Sequence, residues 1–467
     1  MANILYITNG MSSTLHSSFE FARMLVEAGH TIAYTSPAAV QNLVKAQGYS
    51  FLPLSRDRRL AARMENDPRP PLSRPRGWLA WARRRRALRL ESILDSELDR
   101  IIEQQRPDLM LIDIEMHAAI ITTAQFCIPT LLPIVWFTIY RRPGLPPMHT
   151  SLRPQASQVV IQLAWWRTII GSAVLRLRGT LWLPRLFRPI VWGTINIGDL
   201  AALARSRGYP LRRRTDRMQW LRPHLYRDLT VLSFNAWEME LPHDRHPNLR
   251  YVGPMSDLRR QEARLDGESN LPWRRFLEAR GSGGRPLVYC SLGSHWSADR
   301  VFLRRVLQVF EQRPDWDLVL GLGGKLSVED LGAVSPNVLV LRWAPQVQIL
   351  RMADCAITHG GITTINECIT CGVPMVVYST GHVDQDGCAV RIEYHGLGVV
   401  ADKDSDRPRE IERNVEKALT DPTIRENVKA MQRVFAGYKE RGEAVRIVEA
   451  ALADSPMTPC AGSAHKG

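Results

Sequence analysis

A strand–helix–strand rhythm in both halves constrains this chain more than any other feature. NILYIT at the start is a short, apolar, β-rich run. A polar loop, NGMSSTLHSS, follows; FEFARMLVEAGH then reads as an amphipathic helix closed by Gly29, and TIAYTS as the next strand. That order is a βαβ unit, which demands a parallel sheet with helices on its faces. DLMLID, HAAIITTAQFC and IPTLLPIVW repeat it. A second series starts at RPLVYCSLGS and runs through WDLVLGLG, NVLVLRW, CAITH and VPMVVYS. Two such series in 467 residues exceed one ordinary core, so the expected class is α/β with two Rossmann-like doubly wound domains.

Interruptions of the rhythm set the expected boundaries. Residues 1–238 form the first domain, with Arg-, Pro- and Trp-rich insertions at 56–90 and 141–192 that are too long for ordinary loops. The polar stretch 239–271 reads as a linker, 272–453 as the second domain, and 454–467 as a flexible tail. The last helical stretch should break at Pro422.

Hydrophobic residues make up 45% of the chain and charged residues 23%, the balance of a folded protein. The net charge of +14 suits nucleic acid, an anionic membrane or an anionic small molecule. RRRR at 83–86 has no nucleic-acid module beside it, so no nucleic-acid partner is expected. Seven single cysteines do not make a secreted disulfide framework, and MANILYITNG lacks the features of a signal peptide. The most apolar stretch, residues 159–175, is short for a span and contains Arg167. A cytoplasmic protein is expected. Trp78, Trp81, Trp165, Trp166, Trp182 and Trp192 alternate with arginines and offer peripheral contact at the inner membrane surface.

The chemistry concentrates in THGGITTINECITCGVPMVV, residues 358–377. In an open parallel sheet, ligands sit beyond the carboxyl ends of the strands. Here a strand runs into His359 and a helix starts at once. Helix N-termini hold unpaired N–H groups and partial positive charge, and Gly360 and Gly361 admit an anion close to the backbone. His359, Thr363 and Thr364 add donors. Glu367, one turn deeper, suits a ribose diol. These residues predict a diphosphate cradle with a sugar reader behind it. Cys355, His359, Cys368 and Cys371 have no second CxxC to complete a zinc set, so no metal and no cofactor are expected.

The flanking residues extend this pattern. Trp343-Ala-Pro-Gln346, His359-Gly-Gly361, Thr364, Glu367, Gly372-Val-Pro374 and Asp384-Gln385 together resemble the donor signature of UDP-dependent glycosyltransferases of the GT-B fold, in which two domains face each other across a cleft. The likeness extends to RYVGP at 250–254, LVYCSLGS at 287–294 and the first βαβ unit. It implies that Trp343 stacks on the base and Ala344 reads its edge. Gln346 and Glu367 would hold the ribose. His359, Gly361, Thr363 and Thr364 would hold the diphosphate, with Ser294 nearby, and Asp384 and Gln385 the hexose. Ile362, where the family usually has an aromatic residue or glycine, and Thr380, where it often has proline, depart from the pattern. The implied reaction moves a hexose, glucose first, from a UDP-sugar to a hydroxyl of a lipophilic acceptor, with inversion.

That reaction needs a base. The resemblance places Thr14 at the customary position; His16, two residues on, is the assignment, on the argument that a loop shifts by two residues. Asp113, at the end of DLMLID, matches the partner carboxylate, with Glu115 and His117 in reserve. Two other classes stay open: a GT-B partner protein that has lost its base, and a nucleotide-sugar epimerase.

Overall fold

The structure, a computed structural model, describes residues 1–54, 97–181, 197–216, 225–259, 267–281, 284–293, 299–382 and 384–454. Ser294, Trp78, Trp81, Trp182, Trp192, the arginine run 83–86 and the tail from residue 455 lie outside the described residues.

Strands β1 (Asn3–Ile7), β2 (Thr31–Pro37), β3 (Ser50–Leu54), β4 (Leu109–Ile112), β5 (Thr130–Ile134), β8 (Thr230–Ser233) and β9 (Leu249–Tyr251) form one sheet in the order β3-β2-β1-β4-β5-β8-β9. Every pairing in it is parallel. A short antiparallel ribbon, β6 (Thr215–Asp216) with β7 (Leu225–Tyr226), stands apart. The second sheet contains β10 (Leu287–Ser291), β11 (Asp317–Gly321), β12 (Val338–Leu341), β13 (Cys355–Thr358), β14 (Met375–Tyr378) and β15 (Gly398–Ala401), in the order β12-β11-β10-β13-β14-β15 and again parallel. Both are the expected doubly wound sheets. β4 and β10 are buried at every position, as strands covered on both faces must be.

Each sheet reverses its winding once, between β1 and β4 in the first domain and between β10 and β13 in the second. In register, Ile7 lies beside Ile112 and Ser291 beside Thr358. The chain therefore leaves a crevice at the carboxyl ends of these pairs, where open α/β sheets bind ligands.

Three boundaries differ from the expectation. The polar loop after β1 is short: helix Ser12–Glu27 begins seven residues before Phe19. Asn9 Oδ1 accepts the Met11 N–H, Leu15 N–H reaches Met11 O, and the hydroxyls of Ser17 and Ser18 bond back to the carbonyls of Ser13 and Leu15. Serines that would otherwise favour a loop are thus absorbed by the helix. The stretch read as linker contributes β9 to the first sheet. Helix Glu443–Ala453 returns to that domain, where Ala444 and Val448 join the core formed by Leu15, Phe19 and Tyr34. The break at Pro422 is present: Asp421 caps helix Pro422–Glu440 by accepting the N–H groups of Thr423 and Ile424.

Candidate nucleotide-sugar site

At the second reversal point, β13 ends at Thr358, His359-Gly360-Gly361 follows, and helix Ile362–Cys371 starts with Gly361 as its cap. The imidazole of His359 fits between two glycines. A Cβ on Gly293 would come within 2.7 Å of Cε1, and one on Gly361 within 2.6 Å of Nε2. Any side chain at either position would displace the ring, so Gly293 and Gly361 set the place of the histidine, and Gly361 also opens the helix end. Thr363 Oγ1, one residue inside the helix, is buried and has no hydrogen-bond partner among the described residues. Such an atom costs free energy unless a ligand satisfies it. The orphan hydroxyl and the helix N–H groups suit phosphate oxygens.

Behind the cradle runs a bonded chain of side chains. Tyr289, on β10, donates its hydroxyl to Gln346 Oε1 at 3.1 Å; Gln346 Nε2 donates to Glu367 Oε2 at 2.5 Å and lies 3.5 Å from Thr364 Oγ1. Glu367 is buried. Sequence reasoning found Gln346, Thr364 and Glu367 but missed Tyr289, which reads as one more apolar strand residue. Trp343 follows β12, and its indole lies against Gly324: a Cβ there would meet Cζ2 at 2.2 Å. The GLGGK loop, not a phosphate loop by its spacing, is thus the shelf for the tryptophan. Ala344 packs on Gly321, whose added Cβ would meet the alanine Cβ at 3.0 Å.

Asp384 stands at the N-cap position of helix Gln385–Tyr394 without a side-chain capping bond. Gln385 Oε1 accepts both the N–H and the hydroxyl of Thr380, at 3.0 and 2.7 Å. Thr380, a departure from the family pattern, therefore fixes the glutamine amide. Gly360 brings the cradle to this helix, because a Cβ on it would lie 3.5 Å from Gln385 O.

The opposing wall belongs to the first reversal point. Asp113 follows β4, and its N–H bonds Ile7 O on β1. Its Oδ1 accepts the Glu115 N–H at 3.0 Å, while Oδ2 is buried without a hydrogen-bond partner among the described residues. Asn9 Nδ2 donates to Glu115 Oε2 at 2.8 Å. Burial pushes both carboxyl groups well above the ordinary range. For Glu115 the negative charge of Asp113 adds to this, and so does that of Asp384 in the other domain. Asp384 is itself pushed up to about 6 by burial. The acidic groups of the two domains thus share one desolvated space. Helix Ile362–Cys371 is also tied to the first domain, since Asn366 Nδ2 donates to Asn235 Oδ1 at 2.9 Å and to Phe234 O at 3.2 Å.

His16 lies in the first turns of helix Ser12–Glu27, half-buried, with its ring 6.2 Å from that of Phe19. Thr14 is buried. Two helical residues point about 200° apart, so the loop shift invoked for His16 does not exist in this fold. His117 Nδ1 lies 3.1 Å from Tyr226 Oη, deep in the first domain.

Residues 220–438 match the family model described as "UDP-glucoronosyl and UDP-glucosyl transferase". The chain is 32% identical to the oleandomycin glycosyltransferase of Streptomyces antibioticus over 175 residues, 37% of this chain and 40% of that protein. It is 30% identical to the NDP-glycosyltransferase YjiC of Bacillus subtilis (strain 168) over 162 residues, 35% of this chain and 40% of that one. The chain thus spans 40% of the length of each of these relatives. The fold matches the crystal structure of the glycotransferase of kitacinnamycin with a TM-score of 0.65 and 22% identity, covering 97% of this chain and 99% of that chain. A family model that matches across the cradle, and two parallel reversal-point sheets shared with that structure, show that the chain has the GT-B fold and that residues 220–438 resemble UDP-dependent glycosyltransferases.

Proposed function

We propose that this protein transfers a hexose, glucose in the first instance, from a UDP-sugar to a hydroxyl of a lipophilic small molecule, with inversion and without a metal. The observation that carries the reading is the pairing of two reversal points. One offers the His359–Thr364 cradle and the Tyr289–Gln346–Glu367 chain; the other offers desolvated carboxylates. Trp343 would stack on the base, with Ala344 at its edge. Gln346 and Glu367 would take the ribose hydroxyls, and Asp384 with Gln385 the hexose. The acceptor oxygen attacks the anomeric carbon as its proton leaves, and the bond to the β-phosphate oxygen breaks. Charge then builds on the diphosphate, where the helix N-terminus, Gly361, Thr363 and His359 stabilise it. Relatives named for oleandomycin and for NDP-sugar transfer support a natural-product acceptor. Residence at the cytoplasmic membrane surface would bring the enzyme to such molecules.

We assign proton removal to His16 with Asp113 as its charge partner; because helix Ser12–Glu27 turns Thr14 and His16 to different sides, the assignment stands on imidazole as a base near neutral pH and not on a shifted loop. A second reading has a specific support: Asp113 Oδ2 is buried with no hydrogen-bond partner among the described residues, and burial raises its carboxyl toward the range in which it takes a proton near neutral pH. Calorimetry with UDP and dTDP, followed by transfer assays from UDP-glucose to a panel of apolar alcohols, tests the function. Absence of binding to either nucleotide ends it, and donor binding without transfer to any alcohol turns it into a partner protein. Asp113→Asn should lower kcat about 10²-fold or more. His16→Ala should do the same; full activity in that variant moves the base to Asp113.

A further inference from the structure

Among the described residues, helix Gln158–Leu181 is anchored through one face of its first half. Ile161 and Trp165 are buried, Trp165 Nε1 donates to Leu145 O at 2.7 Å, and Thr168 Oγ1 lies 3.2 Å from His149 Nε2. The opposite face carries Val159, Leu163, Trp166 and Ile170, with 68%, 62%, 49% and 58% of their surface exposed. Their spacing of four, three and four residues stacks them in one stripe. Monomeric proteins seldom leave such a stripe in water. The inner contacts prevent the helix from rotating it inward.

Charge identifies what covers it. Between Glu115 and Asp199 the sequence contains no Asp, Glu or Lys, so every formally charged residue there is an arginine. Arg167 is exposed one residue from Trp166, and the guanidinium of Arg141 lies 5.8 Å from the centre of the Trp166 ring. An apolar stripe with a central tryptophan and purely cationic flanks matches a helix lying in the headgroup region of an anionic bilayer. No helix among the described residues is long and apolar enough to cross a membrane. A second copy would place arginine against arginine.

We infer that the Val159–Ile170 face docks the protein on an anionic phospholipid surface. The stripe enters the acyl boundary while Arg141 and Arg167 meet lipid phosphates. The docking helix follows the loop whose Met148 carbonyl packs on Gly387, in the helix that begins at Gln385. This surface is independent of the sugar-transfer reading, because lipid binding is measured without donor.

The test is flotation of the full chain with vesicles of phosphatidylcholine alone and of phosphatidylcholine mixed with phosphatidylglycerol. The wild type should float with the anionic vesicles and be released by salt. L163E/I170E should weaken binding roughly tenfold or more, and R141Q/R167Q should reduce it several-fold, both with unchanged thermal midpoint and nucleotide affinity. Failure of the wild type to float, equal flotation on both vesicle types, or undiminished binding by L163E/I170E overturns the inference. So does light scattering that finds a dimer which L163E/I170E turns into a monomer; the face would then be a contact between copies.

Discussion

At the residue scale, the proposed donor site depends on atoms that are absent. Gly324 has φ +77 and a hypothetical Cβ 2.2 Å from the Trp343 ring, so Gly324→Ala strains the backbone and displaces the indole. Titration of UDP into this variant should show at least about tenfold weaker binding, the loss of roughly one stacked aromatic contact; unchanged affinity would remove Trp343 from the base site. Asp113 makes a second prediction. Burial raises its carboxyl above the ordinary value of 3.8. The folded chain therefore keeps a proton that the unfolded chain releases. The stability this contributes is complete below the unfolded value and is lost as pH rises through the folded one. Asp113→Asn carries no such proton. Its thermal midpoint relative to wild type should rise between about pH 4 and about pH 7, and parallel midpoints across that range would contradict the assignment.

At the element scale, helix Gln385–Tyr394 packs directly against the first domain. A Cβ on Gly387 would sit 2.1 Å from Met148 O. A main-chain carbonyl cannot rotate away as a side chain does, so Gly387→Ala must separate the loop from the helix. Asp384 and Gln385, at the start of that helix, would move with it. We expect the variant to fold, to bind UDP as the wild type does, and to lose about tenfold or more in kcat/KM for the complete sugar donor. Parallel calorimetry and kinetics separate these effects, and equal loss of UDP binding would show that the helix acts on the nucleotide instead. The same packing explains why Gly387 is illegible in the sequence: its neighbour is more than two hundred positions away.

At the scale of the whole molecule, the domains are joined by a buried ion pair. Glu240 Oε1 accepts the Thr138 N–H at 2.5 Å and the Tyr251 hydroxyl at 2.7 Å, and Oε2 accepts Arg391 Nε at 3.1 Å. Arg391 also lies 4.5 Å from the centre of the Phe137 ring. Burial alone would raise the Glu240 pKa, but the charges of Arg391 and His243 and these bonds hold it below the ordinary value. Arg391→Ala strands the carboxylate in a dry seam, at a cost of about 3–5 kcal/mol. Denaturant unfolding should record that loss, and a change below about 1 kcal/mol would mean that the pair behaves as a surface bridge. Arg153 and Glu393 also join the domains with two 2.7 Å bonds, but both are exposed. Screening leaves such a pair worth little, so Arg153→Ala should scarcely shift the thermal midpoint.

The sequence by itself determined the two doubly wound sheets, because strand and helix periodicities are local and a βαβ unit leaves few topologies open. It also determined the cradle, because His359 to Glu367 lie within one strand–helix junction. Tertiary structure alone decided where the first helix begins, and therefore that Thr14 and His16 face different ways. It decided that Tyr289 extends the Gln346–Glu367 chain, that the GLGGK loop supports Trp343, and that β9 and the last helix belong to the first domain. Each of these depends on contacts between residues far apart in the chain, where side-chain volume and desolvation, not local pattern, set the outcome.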